Sequence, residues 1–165
     1  MRRPLSLFVV SALLFVFGIG FVVVGARTMR VAAAGPPTAA AVTVAPVATT
    51  RQIMSAIVSP ASNAIFQAVQ TTSTKEGVEE IYPKTDDAWA LLGAQAASLA
   101  EAGNLIMMNG RAIDRGDWIR MSQAMIDAAK QTMKAVEAKS PDGVLAAGEA
   151  VNTSCDTCHE RYRRQ

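Results

Sequence analysis

At 165 residues the chain can hold one compact core and little else, and a formal net charge of +2 with scattered basic residues excludes a nucleic-acid groove. Aromatic residues make up only 5% of it while alanine and methionine are abundant, a composition that favours closely packed helices over strands. The two cysteines, Cys155 and Cys158, are too near one another to staple distant segments, so a disulfide scaffold is excluded; ligation, redox chemistry or cofactor attachment is left.

After Met1-Arg2-Arg3-Pro4, the run from Leu5 to Ala26 carries no charge. About twenty helical residues rising about 1.5 Å each match the hydrocarbon thickness of a bilayer. Residues 1–26 are therefore expected to form an N-terminal transmembrane helix, a membrane anchor or an uncleaved signal. A cleaved signal peptide has a shorter apolar core of about 7–15 residues, although Ala32-Ala33-Ala34 would be a tolerable cleavage site. Arg2, Arg3 and the amino terminus oppose Arg27 and Arg30 across the segment, a small bias towards an inside N-terminus. Residues 27–50 are rich in Ala, Val, Thr and Pro, with Pro36-Pro37 and Pro46, and lack apolar periodicity. They read as a stiffened linker.

Residues 51–165 read as one four-helix domain. The first helix is predicted from about Arg51 to Gln70, with Ile53 or Met54, Ile57, Ala61, Ala64 or Ile65 and Ala68 as its buried stripe and a kink at Pro60. Thr71 to Lys84, polar and holding Gly77 and Pro83, is predicted as a loop. A second helix opens at Thr85, whose hydroxyl can cap it while Asp86 and Asp87 complement its positive end. Trp89, Leu92, Ala96, Leu99, Ala102 and Ile106 make its apolar face, and Asn109-Gly110 ends it. The third, starting near Asp114 or Asp117, presents Trp118, Met121, Met125, Ala128, Thr132 and Val136. The fourth starts at Ser140 with Pro141 in its first position, and Leu145, Gly148, Asn152, Cys155, His159 and Tyr162 are expected to face inwards. Such helices make an all-α, antiparallel four-helix bundle, an architecture that commonly houses a cofactor between facing helices.

The last helix carries Cys155-Asp156-Thr157-Cys158-His159. Covalent haem attachment needs two thiols that reach the two vinyl groups on one porphyrin edge and an imidazole beneath the iron. One helical turn places Cys155 beside Cys158, and His159 shares the side of Cys155. A zinc site would need a fourth ligand from a carboxylate or a second chain, because the sequence has two cysteines and one histidine. A redox Cys-x-x-Cys pair usually opens a helix in a βαβ setting. A coincidental buried histidine is disfavoured, since the single histidine of the chain stands at the one position haem attachment requires.

With Tyr162 and Arg163, this motif at the end of a four-helix chain resembles the cytochrome c′ family, including its low-spin c556-like members, over about Arg51 to Arg164. The segment from Gly103 through Gly110-Arg111 to Trp118 is similar to membrane-linked bacterial relatives. The resemblance implies one haem c held through two thioethers by Cys155 and Cys158, with His159 as the proximal ligand and Arg163 near the imidazole. High-spin members of the family cover the iron with an apolar side chain of the first helix and bind small gases; low-spin members place a methionine there and transfer electrons. Met54 is the candidate sixth ligand and metal-binding residue, with Ile53 or Ile57 as the alternative cover. Arg51 is a candidate partner of a haem propionate, and Met107, Met108, Met121, Met125 and Met133 are expected to pack. Attachment of such haems on the outer face of the bacterial cytoplasmic membrane agrees with the charge bias and implies a single-pass protein with its haem domain in the periplasm.

The expected function is one-electron transfer, with a redox protein or a membrane respiratory or photosynthetic complex as partner, and a homodimer is a further expectation from the resemblance. A five-coordinate NO- or CO-binding protein and an accessory haem subunit of a membrane complex are the alternatives. No nucleophile with a base, paired carboxylates or phosphate-binding glycine loop is present, so substrate turnover is not expected.

Overall fold

A computed structural model describes residues 15, 44–75 and 77–163. The expected anchor, Phe15 apart, and the linker as far as residue 43 lie outside them. Among the described residues no helix is long and apolar enough to cross a membrane.

The first helical rod begins as α1 (Thr50–Ile53), passes through a π-helical segment (Met54–Val58) and continues as α2 (Ser59–Ala68). Thr49 starts it with a reciprocal cap: its Oγ1 accepts from the Gln52 N–H at 3.2 Å, and its own N–H donates to Gln52 Oε1 at 2.9 Å. Pro60 has no N–H for the preceding turn and crowds its carbonyl. The wide turn just before it, closed by the Ser59 N–H donating to Met54 O, absorbs that conflict. Its consequence is a five-residue step in the buried stripe, from Ile53 to Val58, after which Ala61 and Ile65 follow at ordinary spacing. Val58 therefore takes the core position expected of Ile57, which is only half-buried.

The predicted loop is instead an antiparallel hairpin of β1 (Gln70–Thr74) and β2 (Gly77–Ile81), with Gln70 opposite Ile81 and Thr74 opposite Gly77. Its threonines, Val78 and Ile81 suit extended backbone, and Gly77 supplies the positive φ of 144° that closes it. The described residues are thus mostly helical, with one small hairpin, and the strictly all-α expectation is corrected.

Helix α3 (Asp86–Met107) opens on the predicted cap, Thr85 Oγ1 accepting from the Ala88 N–H at 3.2 Å, and all six expected face residues are buried. Helix α4 (Asp117–Glu137) likewise buries Trp118, Met121, Met125, Ala128, Thr132 and Val136. At its end the Ser140 N–H bonds Ala135 O and the Lys139 N–H bonds Val136 O, a Schellman closure that puts Lys139 at φ 49° and turns the chain sharply. Helix α5 (Pro141–Tyr162) follows, with Ser140 Oγ accepting from the Gly143 N–H at 3.1 Å.

The four rods pack in sequence, the first on α3, α3 on α4 and α4 on α5, while α5 returns to α2. Leu99, Val144 and Val151 are fully buried at the centre. The approach of α3 to α4 is set by Gly103: a Cβ there would stand 2.3 Å from Ile126 Cγ1.

Candidate functional site

The residues singled out by the sequence occupy the last two turns of α5, but its faces are rotated from the expected arrangement. Val144, Ala147, Gly148, Val151 and Ser154 form the buried row, whereas Leu145 is 54% exposed and Asn152 faces solvent. Both rows have helical spacing. The row led by two valines goes inwards because burying the Asn152 amide without partners would cost more than exposing Leu145. Cys155 and Cys158 are consequently half-buried on the flank of the packed row, and His159 is exposed at its rim.

These three side chains nevertheless converge on one cavity between the rods, about 30 Å³ in volume. Its other walls are Met54 and Val58 from the π segment, Ile106 from α3, Met121, Ser122 and Met125 from α4, and Ser154. Met121 and Met125, expected only to pack, share this lining with Met54. Periodicity identified Met121 and Met125 as buried, and offered Met54 only as the alternative to Ile53, but could not tell which would meet the last turns of α5.

The two serines do not make the cavity polar. Ser122 Oγ donates to Trp118 O and Ser154 Oγ to Val151 O, each at 2.7 Å, so both hydroxyl protons are held by their own helices. Burial pushes the Cys155 thiol above its ordinary range, partly opposed by Ser154; burial likewise raises Cys158, with Cys155 adding to it. Neither cysteine has the electropositive setting that makes a reactive thiolate.

The site is braced from the far side by Tyr162. Its ring meets Trp118 edge to face, centroids 5.0 Å apart and planes at 76°, and its hydroxyl donates to Asp114 Oδ2. Asp114 Oδ1 in turn accepts from the N–H groups of Gly116 at 2.8 Å and Trp118 at 3.1 Å, while Trp118 Nε1 donates to Ile106 O at 2.9 Å. The hydrogen bond from Tyr162 is the main cause that holds the Asp114 carboxyl below its usual range; burial first, then Asp114, raises the phenol. Arg161 pairs with Asp117 at 3.0 Å. Sequence spacing named Asp114 only as a possible helix start, and a contact with Tyr162, so distant in the chain, leaves no local signal.

The remaining candidates stand apart. Arg51 is exposed on the first turn of α1, and exposed Arg163 ends α5 with its N–H on His159 O at 3.0 Å; neither lines the cavity. Larger surface depressions, of about 500 Å³ between α2 and α5 and about 660 Å³ beneath the hairpin, contain no cysteine or histidine.

In donor chemistry the cavity fits haem c: two thiols one turn apart, one imidazole and a thioether around apolar walls. In volume it is closed, since cofactor pockets run to about 300–1,000 Å³. A porphyrin would have to part the first rod from α5. Among the described residues no three His, Cys, Asp or Glu side chains are arranged to hold a metal ion by themselves. Comparison with protein-family profiles, with curated proteins and with solved structures found no match for this chain.

Proposed function

We propose that this chain is a c-type cytochrome and a one-electron carrier. Cys155 and Cys158 would hold one haem c, each S–H adding across a vinyl group so that sulfur bonds one vinyl carbon and hydrogen the other. His159 would supply the proximal nitrogen, and Met54 the sixth ligand. The bound group supplies a one-electron iron couple; the chain supplies a dry, thioether-rich surround that limits reorganisation and tunes the potential. We place the four rods as an antiparallel bundle on the periplasmic side of the bacterial cytoplasmic membrane, tethered by residues 1–26, with a redox protein or membrane complex as partner.

The observation that carries this reading is the convergence of both cysteines, the single histidine and Met54 on one apolar cavity. Partial burial raises both thiols, which speaks against a thiolate redox pair. The test is expression of the full chain in a host competent for cytochrome maturation. Haem should remain attached after denaturation, by mass and by pyridine haemochrome, and Cys155→Ser with Cys158→Ser should abolish it. Protein that carries no covalent porphyrin under those conditions refutes the proposal.

A second reading, a five-coordinate haem that binds NO or CO, is favoured by Val58 and Ile106 on the same lining, either of which offers the apolar cover such a site uses. Met54→Ala separates the two: loss of six-coordination in the variant marks Met54 as ligand, whereas a wild type that binds CO as readily as the variant marks the gas-binding protein.

A further inference from the structure

Arg111 is the one arginine or lysine buried among the described residues, at 9% exposure, and none of its partners there is a carboxylate. A buried guanidinium is costly unless its donors are matched. Here the match is made by neutral acceptors from two separate parts of the chain. Nη1 donates to Leu105 O at 2.9 Å and to Met108 Sδ at 3.1 Å, at the end of α3 where helix carbonyls attract a cation. Nε donates to Ala48 O at 2.8 Å.

Ala48 belongs to the end of the expected linker, yet it is half-buried and packed on the core. Gly110, beside Arg111 at φ 88°, lies close under Pro46, whose Cγ would stand 3.2 Å from a Cβ placed on that glycine. The chain is thus seated before its first helix begins. Thr49, the next residue, is the cap, and its carbonyl accepts from the Ile53 N–H at 3.0 Å. Met54 follows five residues after that cap, and a one-residue slip in phase turns a helical side chain by about 100°. Such a slip would move Met54 off the cavity.

We propose that Arg111 is a positioning residue for the candidate haem site: by holding the Ala48 carbonyl it sets the phase in which the first rod starts, and so sets Met54 against the cavity shared with His159. The proposal rests on the haem reading for what Met54 does there. It makes no use of that reading for where Met54 lies.

The test uses the haem-loaded full chain in detergent, with Arg111→Leu, Arg111→Lys and Met54→Ala as variants. Arg111→Leu should lose the ferric methionine-to-iron band and raise the CO-binding fraction at least tenfold, with Arg111→Lys intermediate because a lysine still reaches one carbonyl. The methyl resonance of Met54, assigned with Met54→Ala, should move in Arg111→Leu while those of Met121 and Met125 stay in place. An Arg111→Leu protein that is less stable but keeps the Met54 resonance where it was overturns the proposal and marks Arg111 as merely structural. If Met54→Ala leaves the wild-type spectrum unchanged, the ligation reading fails by itself, and the methyl resonance still decides the role of Arg111.

Discussion

Replacing Gly103 by alanine inserts a methyl group where α3 and α4 come closest. The new Cβ would lie 2.3 Å from Ile126 Cγ1 and 2.9 Å from its Cδ1, with Ser122 O at 3.4 Å. Ile126 is 4% exposed and packed in the core, so it cannot swing into solvent to make room. Overpacking of this kind costs about 1–3 kcal/mol, and the better helix propensity of alanine returns about 1 kcal/mol. A 2.3 Å approach belongs to the upper half of that range, about 2–3 kcal/mol, so the expected net loss is about 1–2 kcal/mol. Equilibrium urea unfolding measures it. The decisive arm is a double-mutant cycle: with Ile126→Ala in place the obstruction is gone, and Gly103→Ala should become neutral or stabilising by up to about 1 kcal/mol. Destabilisation of equal size in both backgrounds, or none in the wild type, would refute the claim that the Ile126 side chain sets the spacing of the two helices.

The π segment predicts that Val58→Ala costs about 2 kcal/mol by urea unfolding and Ile57→Ala clearly less, whereas a regular helix would reverse their order. Lys139→Gly should stabilise by about 1 kcal/mol, because a glycine adopts φ 49° without strain; an unchanged midpoint would show that the left-handed closure is not costly. Tyr162→Phe keeps the ring against Trp118 and deletes the hydroxyl on Asp114. Because the folded carboxyl of Asp114 is held below its unfolded value of about 3.8, its contribution is present above that pH and fades as pH falls through the folded value. The variant should therefore be less stable at neutral pH and lose less on acidification to pH ~3. Parallel unfolding curves for the two proteins from pH ~7 to ~3 would contradict it.

Helix starts were the most legible features in the sequence, since Thr85 and Ser140 announce themselves by local hydrogen-bonding chemistry that needs no tertiary partner. The faces of α3 and α4 were equally open, because each offers a single apolar row. Helix α5 offers two, and only the competition between burying Asn152 and exposing Leu145 selects one. The hairpin was hidden because Gln70–Ile81 packs little apolar surface, leaving β propensity as its only sign. In the candidate site, Cys155, Cys158 and His159 were readable from spacing. Met121 and Met125 around them were not, nor was the Asp114 brace, because these meet α5 only through the fold.

The order of the cavity's parts along the chain has a bearing on how the protein is made. Met54, Ile106, Met121 and Met125 all precede Cys155, Cys158 and His159 in the chain, so wherever the chain emerges N-terminus first the first three rods can begin to associate before the last is present. A group captured by both thiols, as proposed above, would then meet walls that are already gathering.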